Sequence, residues 1–154
     1  MLTIYKPKPE DLWFREQLLS DEQTMSYNHA WGGTIPFPRS EWQKYYDDWI
    51  ADNEGKRFYA YLANDRGEWV GEIAYHLDSE TDCYLSDIII LSRFRGCGYG
   101  SLGLELLCSV AKENGISVLY DDMAIDNPAL SLFKEHGFTE SFRTDRIIML
   151  KKIL

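Results

Sequence analysis

The stretch that most restricts this chain is Ile88-Ile89-Ile90-Leu91, four apolar residues without alternation, followed after Ser92-Arg93-Phe94 by Arg95-Gly96-Cys97-Gly98-Tyr99-Gly100 and an apolar helical pattern to about Glu113. A run without alternation predicts a strand buried on both faces, near the middle of a sheet. Glycines at 96, 98 and 100 remove the side chains that would hold an anion away from the backbone. A helix that starts there aims free N–H groups and its positive dipole at the same space. A strand, a glycine-rich turn and a helix in that order predict a phosphate or pyrophosphate site.

The elements on either side of this junction differ in kind. Before it, a short strand at Leu2 to Lys6 and a helix at Glu10 to Leu19 are followed by a second helix from Ser40. There Ser40-Glu41-Trp42-Gln43 matches a capping box, and Trp42, Tyr45, Tyr46, Trp49 and Ile50 form a core stripe. Between the helices, Tyr27 to Pro38 is read as an aromatic loop, either a packed lid or, preferably, a substrate wall. Arg57 to Ala63 and Trp69 to His76 read as a hairpin turning at Asn64-Asp65-Arg66-Gly67, and Cys83 to Leu91 as a third strand. After the junction come a strand at Ser117 to Asp121, a helix from Pro128 to His136 capped by Asn127, and a final strand near Arg143 to Lys151. A meander followed by β-α-β-α-β predicts an α+β layered fold with a mixed, mostly antiparallel central sheet flanked by helices. With 154 residues and no linker or repeat, residues 1–154 are read as one domain.

Composition excludes several roles. Lysine plus arginine number 16 against 25 acidic residues, a net charge of −9 that argues against a phosphate-gripping nucleic-acid surface and mildly favours a cationic partner. Neither a signal peptide nor a membrane-spanning run is read in the chain, so a cytoplasmic protein with no membrane partner is expected. The three cysteines, Cys83, Cys97 and Cys108, form no C-x-x-C pair, and the three histidines have no ligand spacing, so no metal is predicted.

Two nucleotide motifs overlap on the turn. Gly98-x-Gly100-x-x-Gly103 matches G-x-G-x-x-G, with Asp121 or Asp122 as a ribose-binding acid, but three strands precede it where that fingerprint normally opens a domain. NAD binding is therefore the minor alternative. Arg95-Gly96-Cys97-Gly98-Tyr99-Gly100 matches R-x-x-G-x-G, and here the chain resembles the GNAT superfamily of N-acetyltransferases. A second block, Asp126-Asn127-Pro128-Ala129 through Leu132-Phe133 to Gly137-Phe138, is similar to that family's N-x-x-A-x-x-L-Y-x-K-x-G-F.

The resemblance implies a GNAT-like acyl-CoA N-acyltransferase fold, with acetyl-CoA as co-substrate. It places the pyrophosphate on the amides of Gly96, Cys97, Gly98, Tyr99, Gly100 and Ser101 beside Arg95, and the pantetheine arm along Ile88, Ile89 and Ile90 as an added strand. Asn127 and Phe133 are cofactor contacts by the same resemblance. The family's asparagine falls on Asp126, so Asn127 is one step late, and its proton-donating tyrosine falls on Phe133, which has no proton to give.

The reaction expected is direct attack of a neutral amine, of a small molecule or a peptide, on the thioester, with a backbone N–H steadying the oxyanion. Glu72 and Asp87, on neighbouring strands, are the candidate bases. Tyr84, Tyr99 and Tyr120 are possible acids, although packing is their ordinary role. Cys97 lacks a histidine partner and is not read as a nucleophile. A CoA-binding module without turnover is the alternative from another class, and a monomer or homodimer is expected.

Overall fold

Alternation along the central strands sends side chains to two faces, and each face carries its own cluster of buried residues. The computed structural model describes residues 1–51 and 54–154. Its strands are β1 (Thr3–Tyr5), β2 (Arg57–Ala63), β3 (Trp69–Asp78), β4 (Cys83–Ile90), β5 (Val118–Ala124), β6 (Thr139–Arg143) and β7 (Ile147–Ile153). They form one seven-stranded sheet in the order β1-β2-β3-β4-β5-β7-β6. Every pairing is antiparallel except β4 with β5, so the expected mixed, mostly antiparallel sheet is what forms.

The helices are α1 (Trp13–Ser20), α2 (Trp42–Tyr45), α3 (Tyr99–Glu113) and α4 (Leu130–Glu135). On one face Leu104, Leu107 and Ala111 of α3 and Phe133 of α4 pack with Ile73, Leu119 and Met123. On the other, Phe14, Leu18 and Leu19 of α1 and Phe37 pack with Tyr59, Tyr61, Ala74 and Ile89. β4 lies fourth of seven, the central place that its apolar run predicts.

Four local expectations are corrected. Ser40 does not form a capping box: Arg39–Glu41 is a 3-10 turn, α2 follows without a side-chain cap, and Tyr46–Ile50 widens into a π-helical turn closed by Ala51 N to Tyr46 O at 2.9 Å. Trp42, Tyr45, Tyr46, Trp49 and Ile50 nonetheless all pack on one cluster, as their i, i+3, i+4, i+7 and i+8 spacing predicts. The segment read as loop begins as helical turns, Thr24–Trp31, because Asp21 accepts from both the backbone N–H and the hydroxyl of Thr24. The final strand is two, β6 and β7. The turn between them is held by Thr144 Oγ1, which accepts from Arg146 N and Ile147 N at 3.2 and 3.1 Å. β6 is an exposed edge strand, so it carries no alternation to read. Lastly, β5 runs past the expected Asp121 to Ala124.

Candidate active site

β4 and β5 pair only at Tyr84–Leu119 and Leu85–Tyr120, and beyond that point they part. A cavity of about 540 Å³ opens between them. Ile88, Ile89 and Ile90 line it from β4, Asp121, Asp122 and Met123 from β5, and Ala129, Leu132 and Phe133 from the α4 region. On its β5 side β4 thus presents an unpaired backbone edge of the kind an extended ligand can join as a strand.

The glycine turn closes one end of the same cavity through Gly96, Gly98, Tyr99 and Gly100. Gly96 and Gly98 have φ of +78° and +81°, and a Cβ at either would project into open space. In α3 the amide of Leu102 is bonded to Gly98 O at 3.2 Å, and those of Tyr99, Gly100 and Ser101 belong to the free first turn. Donors without acceptors, facing space that only glycine leaves open, fit an anionic diphosphate. By contrast, a Cβ on Gly103 would meet Leu62 Cδ1 at 2.8 Å and Ile88 Cδ1 at 2.9 Å. That glycine serves helix-on-sheet packing, and the G-x-G-x-x-G match loses its third member as a ligand position.

Carboxylates gather at the other end. Glu72 on β3 receives both its pairings from Arg15 Nη1, at 2.7 and 2.9 Å, and a further bond from the Tyr59 hydroxyl. Burial works against the Arg15 charge, but Glu72 outweighs it and holds the guanidinium protonated. Arg15 also lies over the Tyr45 ring at 4.2 Å. Asp87, one strand away on the same face, has no such clamp and its side chain is exposed to the cleft. Protein crowded around this cleft floor, and then the negative charge of Glu72, push its carboxyl up to about 7, while Arg15 pulls the other way. Because one side stays open to water, the crowding is that of a cavity floor and not of a dry core.

Aromatic side chains form the remaining wall. Tyr27 and Trp31 come from the helical turns after α1, and Tyr45 and Trp49 from the α2 segment. Tyr45 and Trp49 stack at 5.6 Å. From the segment read as an aromatic loop, Tyr27, Asn28, Trp31 and Ile35 lie on the cavity surface.

Of the residues named from sequence, the cavity brings together Glu72, Asp87, Ile88, Ile89, Ile90, Arg95, Gly96, Gly98, Tyr99, Gly100, Asn127 and Phe133. Cys97 and Ser101 are not on its wall. The Cys97 side chain is exposed, and Ser101 Oγ lies 2.7 Å from His136 Nε2. The Arg95 guanidinium donates to Gln23 O and Thr24 O at 3.0 and 2.7 Å, tying the turn to the aromatic wall. Asn127 Oδ1 accepts from Ala129 N at 2.8 Å, as a cap would. Phe133 is buried against Phe138, with ring centroids 5.0 Å apart.

Sequence reasoning missed Arg15 and Met123. Arg15 is 57 residues from Glu72 and nothing local marks it. Among the described residues no group of three or more His, Cys, Asp or Glu has the arrangement of a metal site, and no helix is long and apolar enough to cross a membrane.

The Acetyltransferase (GNAT) family matches residues 16–138, well over half of the chain. The ribosomal protein bS18-alanine N-acetyltransferase of Haemophilus influenzae is 30% identical over 93 residues, 59% of this chain, and the match spans 62% of that relative's length. Two solved structures share the fold. Spermidine N-acetyltransferase from Vibrio cholerae, in complex with CoA and spermine, superposes with a TM-score of 0.80 at 20% identity, over 99% of this chain and 95% of that one. The GNAT domain of S. lividans PAT gives 0.77 at 13% identity, over 99% and 89%. With its R-x-x-G-x-G turn at the head of α3 and its forked β4 and β5, the chain belongs to the GNAT family of N-acetyltransferases.

Proposed function

We propose that this protein transfers the acetyl group of acetyl-CoA to a primary amine of a small molecule or peptide by direct attack, as a single domain over residues 1–154. The observation that carries the reading is one cavity with a glycine-lined anion cradle at one end, an unpaired β4 edge along its length, and Asp87 at the other end. Diphosphate, pantetheine arm and thioester fit that order, from the Gly96–Gly100 turn back along Ile90, Ile89 and Ile88.

Asp87 is the base in this reading. Its carboxyl faces the cleft, and a group poised near 7 accepts a proton from an ammonium and sheds it again at neutral pH. Glu72 positions: its oxygens are taken by Arg15 and Tyr59, and its charge lifts Asp87. Acidic Asp87 and Asp122 with aromatic Tyr27, Trp31, Tyr45 and Trp49 suit a cationic aliphatic amine, which gains from both charge and ring faces. The Vibrio cholerae relative, with spermine bound, supports that class of acceptor. The three free cysteines agree with a reducing, cytoplasmic location, and a monomer or homodimer is the proposed assembly.

CoA release from acetyl-CoA, followed across a panel of amines, tests the reading. Release that requires an amine supports it, and none with any amine leaves a CoA-binding module. A thermal shift with acetyl-CoA, CoA and NAD separates the nicotinamide alternative, since a ligand at 100 times its Kd adds about 2.7 kcal/mol.

A further inference from the structure

The first residues past the last paired positions of the fork are Ser86 on β4 and Asp121 on β5. Ser86 Oγ lies 2.8 Å from Tyr120 O and 2.9 Å from Asp121 Oδ2. A serine hydroxyl has one proton, and a carbonyl oxygen only accepts. That proton serves one acceptor at a time: on Asp121 Oδ2 it faces a carboxylate, and on Tyr120 O it leaves the second contact for a protonated Asp121 to donate. Its surroundings agree: burial drives the carboxyl well above the usual range, and Asp87 and Asp122 add negative charge, against the Ser86 bond.

The two acids at the fork lie on opposite faces. Asp87 alternates with Ile89 on the face covered by α1, whereas Asp121 lies between Leu119 and Met123 on the face covered by α3 and α4. Asp121 lines the cavity together with Met123 and Phe133, and the Phe133 ring supplies no proton there. An arm entering at the glycine turn and running back along Ile90, Ile89 and Ile88, roughly 3.3 Å each, points its end at the fork, two residues further on.

We propose that Asp121 is a catalytic acid that protonates the thiolate leaving from the thioester, with Ser86 as its positioning partner. The inference rests on the acetyl-transfer reading above. As the nitrogen bonds to the carbonyl carbon, the C–S bond breaks, its electron pair stays on sulfur, and sulfur takes the Asp121 proton. The proton lost by nitrogen goes to Asp87. Ser86 then turns its hydroxyl from Tyr120 O to the new Asp121 carboxylate. Exchange with water in the open cleft returns one proton to Asp121 and removes one from Asp87.

The test is Asp121→Asn in the full chain, assayed with acetyl-CoA and with the acetyl thioester of 4-nitrothiophenol, whose thiolate leaves without a proton. With acetyl-CoA, kcat is expected to fall about 100-fold, KM for acetyl-CoA to hold, and the alkaline decline in kcat to disappear. With the activated thioester the rate stays within about twofold of the parent, showing that the variant is folded and still binds amine. Ser86→Ala, which removes no acid, gives a smaller loss with the same dependence on donor. Equal loss of Asp121→Asn with both donors, or no loss with acetyl-CoA, overturns the proposal while the transfer reading stands. If the parent protein releases no CoA with any amine, both fall.

Discussion

Arg15 and Glu72 lie 57 residues apart in the chain and meet at two points, Nη1 standing 2.7 Å from one carboxylate oxygen and 2.9 Å from the other. The pair is nearly closed to water, with side chains 16% and 3% exposed. It joins α1 to β3 beneath the cleft and acts on Asp87 from both signs, Glu72 raising its carboxyl and Arg15 lowering it.

Removing one partner therefore moves stability and the pH profile together. Arg15→Met strands a buried carboxylate and is expected to cost about 3–5 kcal/mol in denaturant unfolding. In Glu72→Gln the negative charge that lifts Asp87 is gone, so the rising limb of kcat/KM against pH, near 7 in the parent, moves to lower pH. A rising limb that does not move argues that Asp87 is not the group it reports.

Asp87→Asn is expected to lower kcat by about 100-fold or more. Its stability effect has a defined sign. The folded carboxyl is raised from the ordinary 3.8 to about 7, so the folded state binds the extra proton in that window and the parent loses stability as pH rises through it. Unfolding midpoints from pH 4 to 8 should show the variant gaining on the parent towards pH 8. An unchanged difference across that range speaks against the raised carboxyl.

The two glycine roles are separable. Gly98→Val places a branched side chain at φ +81°, costing about 1–2 kcal/mol of backbone strain, and fills the space in front of the cradle. CoA affinity, by calorimetric titration, is expected to fall more than about tenfold. Gly103→Ala, pressed against Leu62 and Ile88, is expected to cost about 1–3 kcal/mol of stability with little change in CoA affinity.

Trp31 is 52% exposed and lies on the cavity wall. Trp31→Ala removes a ring face worth about 1 kcal/mol to a cation, so KM for the amine should rise about fivefold. Acetyl-CoA binding should stay unchanged, and stability should hold within about 0.5 kcal/mol, as for other exposed positions.

Much of this was legible before any coordinates. The turn at Asn64 to Gly67, the central strand ending in Ile88 to Ile90, and the glycine turn at Gly96, Gly98 and Gly100 ahead of α3 all rest on preferences that act within a few residues. Where such preferences were weak or mixed, reading failed. β6 is exposed along its length, and the Thr24–Trp31 turns lack the period of an α-helix.

The sequence by itself determined the central β4, the glycine turn ahead of α3 and the family, because glycine freedom, helix termini and strand patterning are local properties of the chain. The tertiary structure alone decided what surrounds each carboxylate. Glu72, Asp87 and Asp121 all carry a carboxylate. Their surroundings diverge because folding brings Arg15 and Tyr59 onto the first, opens the second to the cleft, and places the third beside Ser86 where two strands part.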